Sequence, residues 1–453
     1  MVKRVLQIAI PLTLVTLIAA TGFIVYRLSQ PAIFISPEIN PQVLSSSTNS
    51  PFLSAEGSSS NKLTTDNLQL TTKTNHYQVI GFLPYWLLNQ TDYIQYDKLT
   101  HIAYFGIEFD EHGEIITQLE DGTQELGYHR LHQNTVSQIV RRSRETRVQP
   151  ILTVKILNNE GIQAAINPDH RSQIINKIIK IVNQRNFTGI NIDFEYIKTP
   201  PPEVKSQFTD FIKELRTQLN NYQLTTNNYQ LSLDIYSDTA AKQPERLWQL
   251  QDLTPYVDYF IVMGYDFHRA TTPKAGPVAP IHGAPLRWEE DISTSLSQIT
   301  QLVPSNQIIL GVPYYGYEWR TYTDQTNSTT YPKSGQLASY SRVKETFPEC
   351  VSTISVGAGL IPAPPTSRVP TRGTPTNDYQ LLGCSFDPDA LSPYLIYQEN
   401  NHYQQIWFEN TQSLKHKYQL VKQANLAGIA IWALGYDAPH DDLWNLIQEE
   451  FYN

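Results

Sequence analysis

The amino-acid sequence predicts a closed (β/α)8 barrel, or TIM barrel, over residues 76–450. Eight short runs rich in β-branched and aromatic residues follow one another between residues 77 and 435. Stretches with apolar residues at helical spacing separate several of these runs, and this alternation indicates βαβ units and a parallel sheet. Eight strands in one cycle close such a barrel. A doubly wound open sheet is the alternative, but no glycine-rich phosphate-binding turn follows the first run.

The eight predicted strands are short and mostly apolar. In chain order they cover residues 77–86, 99–107, 148–155, 188–196, 230–236, 258–266, 307–317 and 427–435. Helices are predicted at 171–186 and 202–221. In the first helix, five apolar residues recur at helical spacing and should form one buried stripe against the strands. These are Ile174, Ile175, Ile178, Ile179 and Val182.

The regular spacing breaks once, between the seventh and eighth predicted strands. This long interval holds both cysteines, a proline-rich stretch (360–375) and a predicted hairpin (392–410). Asn400 and Asn401 tolerate positive φ and can make the turn of that hairpin. We therefore expect an inserted α+β lobe, at about 320–410, beside the barrel mouth, where it can deepen a cleft.

The N-terminal residues do not have the pattern of a globular domain. Lys3 and Arg4 precede an almost uninterrupted apolar run from Val5 to Tyr26. As a helix this run is about 33 Å long, enough to cross the hydrocarbon core of a bilayer. We expect residues 1–30 to be an uncleaved transmembrane anchor, with its positive residues in the cytoplasm and the rest of the chain exported.

A cleaved signal peptide with its site near Ala19 and Ala20 is the alternative to the anchor. Residues 31–75 are rich in Ser, Thr, Asn and Pro, which predicts a disordered spacer. Export into an oxidising space favours a disulfide between Cys350 and Cys384, which contributes about 3–4 kcal/mol on the chain-entropy model. Two free thiols are the alternative.

Composition excludes some classes of partner. The net charge of −9 and the charged fraction of 17% do not suit a nucleic-acid partner, since phosphate binding needs a basic face. The cysteines and scattered histidines match no zinc pattern, so neither a metal nor another cofactor is expected. The 27 Tyr, 16 Phe and 7 Trp residues suit sugar rings, although such side chains also fill cores.

Polar and apolar residues alternate along the fourth predicted strand. Asn191, Asp193 and Glu195 lie on one face, while the other face is apolar. Burying unpaired carboxylates costs several kcal/mol, so they are tolerable only at the barrel mouth, where active sites of this fold lie. A solvated edge strand is the alternative, but the neighbouring predicted strands are apolar. The pattern therefore predicts an active site at the end of this strand.

Three motifs resemble glycoside hydrolase family 18, the chitinase-like enzymes. GINIDFEY (189–196) resembles the strand-four signature DGxDxDxE of that family. VMGYD (262–266) is similar to its strand-six motif, and AIWALGYD (430–437) to its last strand, which ends in a tryptophan. The motifs occur in the order of the family on the expected strands. The spacing is closest to the branch that acts on bacterial cell-wall and spore-cortex glycans.

The resemblance implies a substrate-assisted, retaining hydrolysis of β-linked N-acetylglucosamine glycans, chitin-like or peptidoglycan. The nucleophile is the 2-acetamido oxygen of the substrate itself. Glu195 would protonate the leaving oxygen and then activate water. Asp193 would accept a hydrogen bond from the acetamido N–H, and Tyr265 would donate one to the acetamido oxygen. These three residues are the expected catalytic set.

Five further residues are predicted to bind the substrate. The resemblance implies that Asp266 contacts the same sugar and that Trp432 lies beneath it as an apolar floor. The full set is Asn191, Asp266, Trp432, Tyr85 and Tyr315. Aromatic residues at predicted strand ends are candidates for a sugar-stacking groove, although each is as readily a core residue: Tyr85, Trp86, Tyr104, Tyr314, Tyr315, Tyr317 and Trp319.

Two positions depart from the family pattern, because Thr188 and Asn191 stand where it has aspartates. The inner aspartate of the family shares a proton with its neighbour. Asn191 keeps a hydrogen-bonding group but removes a negative charge, so Asp193 is expected to ionise more easily. The stretch VKILNNEG (154–161) also lacks the usual serine–glycine pattern.

We therefore expect a monomeric hydrolase that acts on a polysaccharide containing N-acetylglucosamine and is tethered outside the cytoplasmic membrane. A non-catalytic sugar-binding barrel is the alternative, although such family members typically lack the acid that Glu195 provides. A structural, wall-associated scaffold is the third reading.

Overall fold

The structure, a computed structural model, describes residues 77–222, 229–352 and 379–452. Strands and helices in these ranges are numbered in chain order. The predicted closed barrel of eight parallel strands is confirmed. Its strands are β1 (Gln78–Pro84), β2 (His101–Glu108), β3 (Gln149–Ile156), β4 (Gly189–Phe194), β5 (Gln230–Tyr236), β6 (Tyr259–Met263), β7 (Ile308–Pro313) and β13 (Gly428–Trp432).

The barrel strands neighbour one another in the order β1-β13-β7-β6-β5-β4-β3-β2, and β2 closes onto β1. The register of the middle strands positions the predicted site. Lys155 of β3 lies opposite Asp193 of β4, and Asn191 of β4 lies opposite Ser232 of β5. Side chains of one face on neighbouring parallel strands therefore lie side by side, about 4.8 Å apart at Cα.

Helices follow most of the barrel strands. They are α1 (Leu126–Leu131), α2 (Asn134–Glu145), α3 (Asn159–Ile166), α4 (Arg171–Gln184), α5 (Pro202–Tyr222), α6 (Leu250–Leu253), α7 (Ile292–Ile299), α8 (Tyr340–Thr346), α9 (Pro348–Val351), α10 (Thr411–Gln423) and α11 (Asp442–Ile447). The apolar stripe predicted for α4 is buried in full. It belongs to the large apolar layer between helices and strands, whereas a smaller cluster fills the barrel interior.

A second, antiparallel sheet stands between β7 and β13, as the predicted insertion requires. Its order is β10-β11-β12-β8-β9. Its strands are β8 (Tyr315–Thr321), β9 (Gln336–Ser339), β10 (Tyr379–Asp387), β11 (Ser392–Glu399) and β12 (His402–Trp407). The run 307–317, predicted as one strand, is thus two. The chain leaves the barrel at Tyr314, whose N–H donates to Trp432 O (2.8 Å) and whose carbonyl accepts from Tyr340 N (3.0 Å).

The inserted sheet contains the hairpin that the sequence predicts. Strands β11 and β12 pair in antiparallel register, and Asn400 and Asn401 make the turn with φ of 50° and 60°. Cys350 of α9 and Cys384 of β10 are bonded, with the two Sγ atoms 1.98 Å apart. The bond ties the helix to the outer strand of the sheet. The proline-rich stretch 360–375 lies outside the described residues.

The predicted anchor (1–30) and spacer (31–75) also lie outside the described residues. Among the residues that are described, no helix has both the length and the apolar character needed to cross a membrane.

Candidate active site

The carboxyl end of β4 carries the predicted acidic residues. Asn191 and Asp193 are buried and point into the barrel, while Glu195 follows the strand and is partly exposed. The backbone N–H of Glu195 donates to Ile156 O at 3.0 Å, so the ladder between β3 and β4 continues to this residue. The rigid sheet therefore fixes the position of Glu195 at the barrel mouth.

Strand β5 supplies the partners of these residues. Ser232 Oγ donates to Asn191 Oδ1 (2.7 Å), and Asn191 Nδ2 donates to Asp234 Oδ2 (2.8 Å). Tyr236 OH donates to Glu195 Oε2 at 3.0 Å. Sequence reasoning missed Asp234 and Tyr236. They show the same period-two alternation on β5 that identified the acids on β4, so the same argument applied to QLSLDIY (230–236) would have found them.

Strand β3 adds a cation to the same layer. Lys155 is buried, lies opposite Asp193 and forms an ion pair with Glu108 of β2. Its ammonium group lowers the pKa of Asp193 and Glu195, against the larger effect of their burial. Lys155 therefore moderates the negative field of the site without forming an ion pair with either acid among the described contacts.

Burial raises the pKa values of all three acids. Removal from water raises the pKa of Glu195 to about 7, although the hydrogen bond from Tyr236 opposes this shift. The pKa of Asp193 is raised well above its ordinary value by burial and then by the charges of Glu195 and Asp234. Burial also raises the pKa of Asp234 to about 8. Like charges that share one buried site cannot all ionise at neutral pH.

The expectation that Asp193 ionises more easily was drawn from position 191 alone and stays a prediction. It assumed that Asn191 leaves the inner layer with one negative charge fewer. Asp234, on the neighbouring strand, places another carboxyl in the same layer, and the charge that it carries when ionised raises the pKa of Asp193. The sequence signature of one strand could not reveal a carboxyl contributed by another.

Tyr265 and Asp266 follow β6 and face the same mouth. Burial raises the pKa of Tyr265, and the charges of Asp234 and Asp193 raise it further, so its hydroxyl remains a hydrogen-bond donor. Asp266 has a positive φ of 63°, an uncommon conformation that aspartate tolerates better than most residues. Its Oδ1 accepts hydrogen bonds from the hydroxyls of Tyr315 and Tyr317.

Aromatic rings line the opposite side of the mouth. Trp432, at the end of β13, is partly exposed and packs against Phe105 and Phe82, with ring centroids 4.7 and 5.7 Å apart. Trp86 is 41% exposed and lies 6.2 Å from Trp432 and 4.9 Å from Tyr85, measured between ring centroids. These rings give the mouth one apolar wall.

Two residues predicted to bind substrate, Tyr315 and Asn191, are buried beneath the mouth instead of lining it. Tyr315 is 2% exposed and Asn191 is 1% exposed, so neither offers a surface to a sugar. Tyr315 holds Asp266, and Asn191 holds Asp234. Four of the seven candidate stacking residues are buried for the same reason, that their rings complete the core: Tyr104, Tyr314, Tyr315 and Trp319.

The described residues include no group of three or more His, Cys, Asp or Glu side chains arranged to hold a metal ion. The chemistry that the site supports is proton transfer. A partly exposed acid with a pKa near neutrality stands beside a buried carboxyl and a tyrosine donor.

A model of the family described as Glycosyl hydrolases family 18 matches residues 78–437. The cortical fragment-lytic enzyme of Bacillus subtilis is 24% identical over 302 residues, which cover 65% of this chain and 55% of that protein. The cortical fragment-lytic enzyme of Bacillus anthracis is 23% identical over 361 residues, which cover 78% of this chain and 68% of that protein. The chain thus spans between about half and two thirds of these relatives.

Two solved structures have the same fold at low sequence identity. The GH18 chitinase of Cycas revoluta in complex with (GlcNAc)3 aligns with a TM-score of 0.65 and 17% identity, covering 82% of this chain and 99% of that one. The spore cortex-lytic enzyme SleL of Bacillus megaterium aligns with a TM-score of 0.59 and 18% identity, covering 84% and 75% respectively. At these identities the likeness shows the fold alone.

Proposed function

The chain belongs to the glycosyl hydrolases family 18, and from this premise we propose that it hydrolyses β-linked N-acetylglucosamine glycans with retention of configuration. One observation carries the proposal. Glu195 at the mouth has a pKa raised to about 7 and stands beside the more deeply buried Asp193. An acid that keeps its proton at neutral pH, next to a carboxyl that can stabilise positive charge, is what substrate-assisted hydrolysis needs.

In the first step Glu195 gives its proton to the glycosidic oxygen as the bond from that oxygen to the anomeric carbon breaks. The 2-acetamido oxygen of the same sugar forms the new bond to the anomeric carbon and closes an oxazolinium ring. The environment of Glu195 suits this role, because burial favours the protonated form while Tyr236 fixes the carboxyl in one orientation.

Asp193 and Tyr265 act on the acetamido group. Asp193 accepts a hydrogen bond from its N–H and offsets the positive charge of the ring. Tyr265 donates to the acetamido oxygen and holds it against the anomeric carbon, since its raised pKa keeps the hydroxyl protonated. In the second step, ionised Glu195 takes a proton from water, which attacks the anomeric carbon and opens the ring. Two inversions at that carbon leave its configuration retained.

Relatives named for fragments of spore cortex and structures named as chitinases support two substrates, peptidoglycan strands and chitin oligomers. Both carry the 2-acetamido group that the mechanism needs. Trp432 provides an apolar surface for the sugar that bears it. Product analysis on a panel of both glycans distinguishes these substrates.

Turnover by the full chain in detergent, with and without Glu195→Gln, tests the proposal. We expect the wild type to cleave at least one glycan of the panel. We expect Glu195→Gln to lower kcat by about 10³-fold or more and to leave glycan binding in place. Glu203→Gln, the same change at an exposed position of α5, is the matched control and should behave as wild type. A wild type that binds glycan but cleaves none would instead be a lectin-like barrel.

We also propose that residues 1–30 anchor the enzyme in the cytoplasmic membrane, with the barrel outside. The support is the run Val5–Tyr26 behind Lys3 and Arg4. The intact mass of the protein in the membrane fraction tests this proposal. A chain that begins near Ala20 and appears only in the medium would show a cleaved signal peptide instead.

A further inference from the structure

Strands β4 and β5 bring two buried aspartates together. Their register pairs Asn191 with Ser232 and Ile192 with Leu233. Its continuation by one residue sets Asp193 beside Asp234, on the face that points into the barrel. Both side chains are almost fully removed from water, with exposures of 4% and 5%.

One oxygen of each carboxyl has no hydrogen-bond partner in the described part of the chain. Asp234 Oδ2 accepts from Asn191 Nδ2, but Asp234 Oδ1 and Asp193 Oδ1 are both buried and unpartnered. Two adjacent ionised carboxylates, each with one buried oxygen that lacks a donor, would each bear a desolvation cost of several kcal/mol. A proton held by one carboxyl and donated to the other removes this cost, as in other buried acid pairs.

We infer that Asp234 is a positioning residue that holds a proton and donates it in a hydrogen bond to Asp193. The inference rests on the proposed function, because that reaction requires a particular distribution of protons among Glu195, Asp193 and Asp234. Glu195 must keep its own proton for the first step, and Asp193 must be ionised to offset the charge of the oxazolinium ring. The proton that relieves repulsion among the three acids therefore resides on Asp234.

Charged and titratable groups on the neighbouring elements surround the pair, and burial raises the pKa of Asp193 as well as that of Asp234. Glu195 follows β4, two residues beyond Asp193, and Tyr236 on β5 donates a hydrogen bond to it. Lys155 on β3 is paired with Glu108 of β2, so neither gives Asp234 a direct partner. After β6, Tyr265 is a neutral hydrogen-bond donor with a raised pKa. The charge of Arg269 lowers the pKa of Glu195, and the charge of Asp266 raises it. Burial, the largest cause, raises the pKa of Asp234 to about 8.

Asn191 has a defined part in this arrangement. Its amide carbonyl accepts from Ser232, and its amide nitrogen donates to Asp234 Oδ2. This leaves Asp234 Oδ1 as the oxygen that carries the proton. The inner acid has therefore moved from position 191 to the neighbouring strand, where an asparagine orients it.

Three variants of the full chain test the inference: Asp234→Ala, Asp234→Asn and the double variant Asn191→Asp with Asp234→Ala. Asp234→Ala removes the donor, and we expect kcat to fall about 100-fold with KM nearly unchanged. Its acid limb in the pH–rate profile should move to higher pH, because Asp193 alone ionises less readily in a buried site. Asp234→Asn keeps a donor and an acceptor, so kcat should stay within about tenfold of wild type.

The double variant returns an acid to β4 and should recover at least about tenfold of the activity that Asp234→Ala loses. Circular dichroism and the Tm of each variant verify folding, and Asp169→Asn, at an exposed position, is the matched control. Wild-type kcat and an unchanged pH profile in Asp234→Ala would overturn the inference. A double variant that folds but is no more active than Asp234→Ala would also overturn it.

A measurement without substrate separates this inference from the proposed function. Because the folded pKa of Asp234 is raised to about 8, the native state holds more protons than the unfolded state above the ordinary carboxyl range. This stability is present at low pH and is lost as pH rises through about 8. The fall of Tm with rising pH should be shallower in Asp234→Asn than in wild type. Equal slopes would contradict the shared proton, whereas an inactive wild type with unequal slopes would contradict only the proposed function.

Discussion

The two halves of the barrel interior are built on the same geometry and carry opposite chemistry. On one half, apolar side chains point inward and pack together: Ile80, Phe82, Ala103, Phe105, Ile309 and Ala430, and the same cluster extends to Ile151 of β3 and Ile261 of β6. On the other half, strands β3 to β5 present polar side chains at the same alternation: Thr153, Lys155, Asn191, Asp193, Ser232 and Asp234. Packing holds the first set together, and hydrogen bonds link side chains of the second.

The apolar half of the interior mainly stabilises the fold, whereas the polar half supplies the groups for chemistry. Apolar contacts of the first half contribute free energy in proportion to the area that they remove from water. The ionised acids of the second half are costly to bury, and this cost is the main reason that the pKa values of Asp193 and Asp234 are raised. A sugar at the mouth would therefore lie between an apolar wall, at Trp432, and an acidic wall, at Asp193 and Glu195.

Asp193→Asn should give the largest effect and show the separation most clearly. It removes the charge that we propose to offset the oxazolinium ring, so kcat should fall by about 10³-fold, which is about 4 kcal/mol. The free energy of unfolding at neutral pH should stay the same or increase, because an amide is easier to bury than a carboxylate. Steady-state kinetics and urea unfolding measure the two quantities.

Asp169→Asn, on the surface, is the control for the charge change itself. If Asp193→Asn lost several kcal/mol of stability along with activity, the polar half would have to be counted as part of the stabilising core. The two halves would then both contribute to stability.

Phe82→Ala tests the other half and should act on stability. Phe82 is 2% exposed and packs on Phe105 and Trp432. Truncation of a buried phenylalanine leaves a cavity and costs about 3 kcal/mol or more. Urea unfolding should show this loss, while kcat of the folded fraction should stay within about threefold of wild type. A large loss of kcat without a change in stability would reverse the assignment.

The fold could be predicted because each local pattern agrees with it. The alternation on β4 and the apolar stripe of α4 each require a buried sheet with helices outside, and both are found. The hairpin turn at Asn400 and Asn401 was predictable because few residues adopt positive φ. The end of β7 was not, since the chain changes sheets at Tyr314 within one continuous β-rich run.

Residues of the candidate site were predictable only where the residues that identify them lie together on one strand. Asp193 and Glu195 were identified from β4 alone. Asp234 shows the same alternation on β5, but its position beside Asp193 depends on the register between β4 and β5, which the sequence does not contain. Tyr315 and Tyr317 both follow β7, and only packing decides that the first is buried behind Asp266 and the second is partly exposed.

Trp432→Ala acts at the boundary of the two halves and should have an intermediate effect. Loss of the ring removes the apolar surface that we propose lies beneath the sugar. The value of kcat/KM should therefore fall about 30-fold, mainly through KM, which is about 2 kcal/mol. Trp86→Ala changes the more exposed ring beside it and should have a smaller effect. If Trp432→Ala lowered the free energy of unfolding and left kcat/KM unchanged, Trp432 would belong to the packed half alone.

Tyr236→Phe should have the smallest effect, a displacement of the pH profile. Glu195 must be protonated to act, so kcat/KM should fall as pH rises through about 7. The hydroxyl of Tyr236 donates to Glu195 and stabilises its ionised form, which lowers the pKa. Its removal should therefore raise the pKa of Glu195 and move the alkaline limb to higher pH by up to about one unit.

Tyr229→Phe is the matched control for this displacement, because its hydroxyl donates to Asn183 Oδ1 outside the mouth. Profiles of kcat/KM between about pH 4 and about pH 9 should coincide for Tyr229→Phe and wild type. An alkaline limb of Tyr236→Phe that stays in place, or moves to lower pH, would mean that desolvation alone sets the pKa of Glu195. The hydrogen bonds of the polar half would then orient the acid without tuning it.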